Sequence, residues 1–85
     1  MNALIVDISG WIGAILLLLA YGLVSLKKVA GDAISYQLLN AVGSIFLIVN
    51  SFYYKAYPSV AVNVFWISIA LITMLQYRKK AKEAA

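Results

Sequence analysis

The chain has 85 residues, 65% of them hydrophobic, and a formal net charge of +4; a soluble domain this small buries too little of its surface to hide so much apolar material. It has no cysteine and no histidine, which excludes thiol nucleophiles, thiolate metal sites, disulfides, imidazole bases and imidazole haem ligands. Its only acids, Asp7, Asp32 and Glu83, lie outside the apolar runs, which excludes a proton relay through a buried carboxylate, and its basic residues sit at the ends of those runs, where they set topology rather than bind nucleic acid.

Three uncharged apolar runs predict three transmembrane helices, over about residues 8–26, 36–54 and 58–77, followed by a charged, frayed tail at 78–85. Each run is close to the ~20 residues that span a ~30 Å hydrocarbon core, and a backbone in lipid must satisfy its own hydrogen bonds, so helices are the expected form. The fold class is therefore all-α, a single integral membrane domain built as a three-helix bundle.

In the first helix, Asp7 is placed to cap the N-terminus, and Trp11 lies at an interface, where indoles collect. Ser9, Gly13 and Ala20 form a stripe of small residues with Gly10 beside it. Such stripes let helix backbones approach closely in lipid, so this one reads as a packing face. No basic residue precedes the run, so a retained helix is expected rather than a cleaved signal peptide. Gly31 and Asp32 mark the turn into the second helix.

The second helix has two unlike sides. At 100° per residue, Gln37, Asn40, Gly43, Ser44, Asn50 and Ser51 fall within an arc of roughly 140°, together with Tyr36, Leu47 and Tyr54. Leu38, Val42, Ile45, Phe46, Ile48, Val49 and Phe52 cover the other side and suit lipid. Asn40, Gly43 and Ser44 are assigned to helix packing. The polar arc is wider than one three-helix unit is expected to cover, which predicts a homodimer.

A very short turn at Lys55 makes the second and third helices a tight hairpin, and Pro58 suits the first helical turn, where its missing N–H is harmless. The third helix carries a stripe of Ser59, Asn63, Trp66, Ala70, Thr73 and Tyr77. Asn50 and Asn63 both lie roughly 6–8 Å below the surface at the hairpin end, by ~1.5 Å rise per residue. Two readings stand. The amides bond each other across the hairpin as interhelical glue, or they line a solute cavity with Ser59 and Trp66. Tyr53, Tyr54 and Tyr57 form one aromatic belt and Tyr77 the other.

Lys27, Lys28, Arg78, Lys79, Lys80 and Lys82 fall on one side of a three-crossing topology, against Lys55 on the other. Basic residues collect on the cytoplasmic side, which predicts N-terminus out and C-terminus in.

Taken together, the segments Gly10-Trp11-Ile12-Gly13-Ala14, Gly43 and Pro58-Ser59-Val60-Ala61-Val62-Asn63 resemble the SemiSWEETs, the bacterial half-size sugar transporters of the PQ-loop superfamily. In that family a proline opens the third helix and an asparagine five residues later lines the sugar pocket; Pro58 and Asn63 hold those places. Leu23 and Val24 stand where the family has its Pro-Gln pair, and Leu47 where it has a pocket tryptophan. The segments Ala20-Tyr21-Gly22-Leu23-Val24-Ser25-Leu26, Tyr36-Gln37-Leu38-Leu39-Asn40 and Asn63-Val64-Phe65-Trp66 are similar to a branch of small bacterial membrane proteins related to the SWEETs but lacking that pair. The resemblance implies a three-helix half-transporter in the bacterial inner membrane.

Two functions follow as expectations. One is facilitated diffusion of a small neutral, sugar-like solute through a homodimer, with Asn63, Trp66, Asn50 and Ser59 as substrate-binding residues. The other is a structural or accessory subunit of a larger membrane complex, in which the polar face docks another membrane protein and nothing is transported. The membrane portion offers no acid, base or activated nucleophile, so an enzyme is not expected, nor is a metal, a cofactor or a nucleic-acid partner.

Overall fold

The computed structural model describes residues 2–84. Among them the chain forms three α-helices, α1 (Ala3–Ser25), α2 (Ile34–Tyr53) and α3 (Tyr57–Ala84). All three are long and apolar enough to cross a membrane. At ~1.5 Å per residue they run roughly 34, 30 and 42 Å, and the bundle is 47 Å along its longest axis.

Two helices extend beyond their expected limits. The first starts at Ala3 because Asn2 caps it, its side chain accepting the Leu4 N–H at 2.7 Å. Asparagine is among the best N-cap residues, and it displaces the expected cap, Asp7, to a full turn inside the helix. At the other end of the chain, α3 continues through Arg78–Lys82 to Ala84 instead of fraying after Tyr77. Lys, Arg and Ala are strong helix formers, and Lys82 in the last turn suits the negative end of the helix dipole.

Both inter-helix connections begin with the same local device. After α1 the Lys28 N–H bonds the Leu23 carbonyl at 2.8 Å and the Lys27 N–H bonds Val24 at 3.0 Å. After α2 the Ala56 N–H bonds Ser51 at 2.8 Å and the Lys55 N–H bonds Phe52 at 3.1 Å. These are Schellman closures, which satisfy the last carbonyls of a helix by turning one residue left-handed. Lys27 (φ 58°) and Lys55 (φ 59°) occupy that conformation, at a cost of about 1–2 kcal/mol for a side chain with a Cβ. A lysine there combines the stop with a charge at the membrane surface.

The helices pack in the order α1–α2–α3: α2 contacts both neighbours, and among the described residues α1 and α3 do not pack on each other. The interior is inside-out relative to a soluble protein. Ser9, Gln37, Asn40, Ser44, Ser51 and Asn63 are buried, whereas Leu4, Ile15, Leu18, Val62, Phe65, Ile72 and Leu75 are exposed. That pattern fits lipid as solvent, because exposed leucine is then at no disadvantage and polar groups face protein. It also bears on assembly. Gln37, Asn40, Ser44 and Ser51 are covered within one chain, so the polar arc that predicts a homodimer needs no second copy to shield it.

The backbones of α1 and α2 approach closely at Gly13 and Gly43. A Cβ at Gly13 would lie 2.7 Å from the Gly43 carbonyl oxygen, and one at Gly43 would lie 3.1 Å from that of Gly13. Gly22, on the same helix as Gly13, has nothing within 4 Å of its Cβ position. Gly13→Ala should therefore destabilise the bundle by about 1–3 kcal/mol. Gly22→Ala, with the same change in composition, should be neutral or stabilising by about 0.5–1 kcal/mol. Unfolding in detergent micelles separates them, and equal behaviour of the two variants would refute the tight crossing.

Candidate functional site

The polar residues of α2 divide between its two neighbours. Toward α1, Asn50 leans over Gly10 and its Nδ2 donates to the Val6 carbonyl at 3.0 Å. A Cβ at Gly10 would lie 2.6 Å from that nitrogen, so the glycine makes room for the amide. Gly13 packs against Gly43 and Leu47, and Gly43 against Leu17. Ser9 and Ala20 are buried on the same helix, and Ser9 Oγ donates to the Ile5 carbonyl one turn back.

On the side facing α3, Ser51 and Ser59 share a hydroxyl–hydroxyl bond of 3.0 Å. Deeper in the bundle, Trp66 Nε1 donates to Asn40 Oδ1 at 3.3 Å. Asn63 is 8% exposed, and its Nδ2 donates to the Ser59 carbonyl of its own helix at 2.9 Å. Ser44 is fully buried with no hydrogen-bond partner for its Oγ. Gln37 Nε2 ties the loop to the start of α2 by donating to the Gly31 carbonyl at 2.8 Å.

Asn50 and Asn63 therefore do not bond each other, as the glue reading expects; one serves α1 and the other its own helix. The four expected substrate residues also divide with respect to two grooves that hold polar side chains. A polar groove of about 370 Å³ at the hairpin end is lined by Asp7, Gly10, Trp11, Ala14, Leu47 and Asn50. A smaller one of about 200 Å³ between α2 and α3 is lined by Tyr36, Gln37, Asn40, Trp66, Ile69 and Ala70. Asn50 belongs to the first, Trp66 to the second, and Ser59 and Asn63 to neither. The split has a simple origin. A 140° arc seen on an isolated helix is one face, but two helices dock on that face from either side.

One contact escaped the sequence reading. The Tyr54 hydroxyl, just past the end of α2, donates to Asp7 Oδ1 on α1. Its sequence signal was weak, because Asp7 read as a cap and Tyr54 as a belt residue. The pair closes the hairpin end of the bundle beside two edge-on aromatic pairs, Tyr53–Tyr54 at 5.1 Å and Phe52–Tyr57 at 6.4 Å between ring centroids.

Among the described residues no cluster of His, Cys, Asp or Glu is arranged to hold a metal ion. What the arrangement offers chemically is amide and hydroxyl hydrogen bonding, mostly satisfied within the bundle. The fold is that of a small multi-pass helical membrane protein. A protein-family model matches residues 6–81, a span that takes in the packed part of all three helices, and the chain belongs to that family. No curated protein and no solved structure matches it.

The Tyr54 phenol is held above its usual pKa, first by the hydrogen bond it gives Asp7, then by desolvation and by the Asp7 and Tyr53 charges. A raised pKa in the folded state means the contact contributes fully below the ordinary phenol value of about 10 and is lost as pH rises through the raised one. Phenolate absorbance, taken as the difference between wild type and Tyr54→Phe, should show this late titration. Asp7→Asn should move it back toward the ordinary value, and an unchanged titration in that variant would remove Asp7 as the cause.

Proposed function

We propose that this chain is a non-enzymatic structural or accessory subunit of the bacterial inner membrane, acting by lateral association in the bilayer rather than by carrying a solute. The observation that carries this reading is Asn63. It is almost fully buried, its amide is engaged by Ser59, and it lines neither polar groove. The other polar side chains follow suit: Asn50 holds α1, Ser51 holds Ser59, and Asn40 holds Trp66. Exposed apolar surface along α1 and α3 is available to a neighbouring membrane protein.

The N-out, C-in orientation belongs to the same proposal. Ile34, at the start of α2, shares a groove with Arg78 near the end of α3. The Lys27–Lys28 turn and the Arg78–Lys82 cluster thus lie at one end of the bundle, and Lys55 at the other. Basic residues are retained in the cytoplasm. Single cysteines at Asn2 and Lys82 test this in intact cells with an impermeant maleimide: Asn2→Cys should react and Lys82→Cys should not, and the reverse pattern refutes the orientation.

A SWEET-like carrier for a small neutral solute, working as a homodimer by facilitated diffusion, is the second reading. It is favoured by the Pro58–Asn63 spacing and by the open polar groove at Asn50. Proteoliposomes of the purified chain separate the two. A structural subunit gives no flux of sugars or other small neutral polar solutes above that of protein-free liposomes. Asn63→Leu should then change only stability, by about 0.5–1.5 kcal/mol, the net worth of one hydrogen bond, because its amide bonds its own helix. Solute flux that Asn63→Leu abolishes, with fold and oligomeric state intact, would overturn the structural reading in favour of the carrier.

A further inference from the structure

A third groove opens between α2 and α3 at the basic end of the bundle. It has a volume of about 600 Å³ and is lined by Ile34 of α2 and by Leu71, Met74, Leu75, Tyr77, Arg78 and Ala81 of α3. Leu71, Met74, Leu75, Arg78 and Ala81 follow i, i+3, i+4, i+7 spacing and so form one stripe along α3. Lys82, four residues beyond Arg78, continues that stripe. The stripe is apolar for about 10 Å, from Leu71 to Arg78 at ~1.5 Å per residue, and then becomes cationic. Because α3 stays helical to Ala84, the cations are held in register with the apolar part.

We propose that this groove binds one anionic phospholipid of the leaflet at the basic end of the bundle. One acyl chain lies along Leu71, Met74 and Leu75 against Ile34, and the headgroup phosphate pairs with the Arg78 guanidinium. Three features commit the groove to this occupant. Its lining matches an amphiphile, hydrocarbon first and then a cation at the height where the apolar run ends. The guanidinium fork is suited to phosphate oxygens. The remaining charge at that end, from Lys27, Lys28, Lys79, Lys80 and Lys82, favours an anionic lipid over a zwitterionic one. An apolar protein helix in the same place would leave Arg78 unpaired at its edge. The proposal stands apart from the functional reading, since a carrier and an accessory subunit could equally hold such a lipid.

Native mass spectrometry of the purified chain in detergent tests it, with phosphatidylglycerol and phosphatidylcholine of the same acyl chains as probes. Phosphatidylglycerol should bind several-fold more tightly. Arg78→Gln should reduce its binding about fivefold, the effect of one basic residue near an anionic surface. Lys80→Gln removes the same charge about 200° around the helix and should leave the preference intact. Ile34→Trp, which fills the groove without changing charge, should also weaken binding, and circular dichroism checks that each variant keeps its helices. Equal loss in Lys80→Gln would mean diffuse electrostatics and would overturn the site. Unchanged binding in Ile34→Trp would overturn the groove, and displacement of the lipid by inorganic phosphate would overturn the lipid as its ligand.

Discussion

The contact on which this bundle depends is the backbone crossing of α1 and α2 at Gly13 and Gly43. The carbonyl oxygen of each glycine occupies the space that a Cβ on the other would need. In lipid no hydrophobic force drives one apolar helix onto another, so close packing and a few hydrogen bonds must do it. A single interhelical hydrogen bond in a membrane averages about 0.6 kcal/mol, whereas forcing a methyl group into a tight contact costs about 1–3 kcal/mol. The glycine crossing is therefore at least as sensitive to substitution as any one of the polar bonds. It also sets their geometry: Asn50 can reach the Val6 carbonyl only while α1 lies this near, and it does so across Gly10, a second position without a side chain.

With α1 fixed to one flank of α2, the other flank is left for α3, and the polar arc of α2 is divided between them. Small or polar side chains recur on α2 because it serves two neighbours, with Gly43 and Asn50 directed to α1 and Asn40 and Ser51 to α3. The apolar side chains are left to the outside, where lipid accepts them. A buried set of Ser, Asn, Gln, Gly and Ala is thus the ordinary core of this molecule, and its polarity needs no solute to explain it. Ser44 is the exception, since its hydroxyl is buried without a partner and nothing in the packing accounts for it.

Run length and the absence of charge in the apolar segments made three helices legible in the sequence, because the bilayer imposes a length on any spanning helix. Helix ends were less legible. Asn2 and Asp7 are both competent caps, and a sequence does not show which one the backbone reaches first. The left-handed residues Lys27 and Lys55 carry no glycine signal, since lysine rarely takes that conformation. The contacts of the candidate site residues were illegible for a different reason. Helical periodicity places Asn50 and Asn63 at similar depth, but the rotation of each helix about its own axis is set by its neighbours. That rotation turns Asn50 to α1, while the Asn63 side chain folds back on the Ser59 carbonyl one turn earlier in its own helix, so matched depth did not become contact.

The two ends of the bundle differ in tightness, and this constrains any motion it can make. At the hairpin end, Asn50–Val6, Tyr54–Asp7 and Ser51–Ser59 all lie within a few turns of the short Tyr54–Ala56 connection. At the basic end, the connection from α1 to α2 is longer, residues 26–33, and α2 and α3 are parted by the groove at Ile34 and Leu75. Trp66–Asn40 is the deepest of the bonds that join α2 to α3. A relative movement of α3 would therefore pivot near Ser51 and Ser59 and be largest at Arg78, without disturbing the α1–α2 crossing. Among the described residues the backbones of α1 and α3 do not approach each other, so α2 alone supports that end of α3, through Ala70, which is buried one turn beyond Trp66. Beyond Ala70 the exposed stripe of α3 faces the leaflet, which makes the composition of that leaflet part of the conformational energetics of this protein.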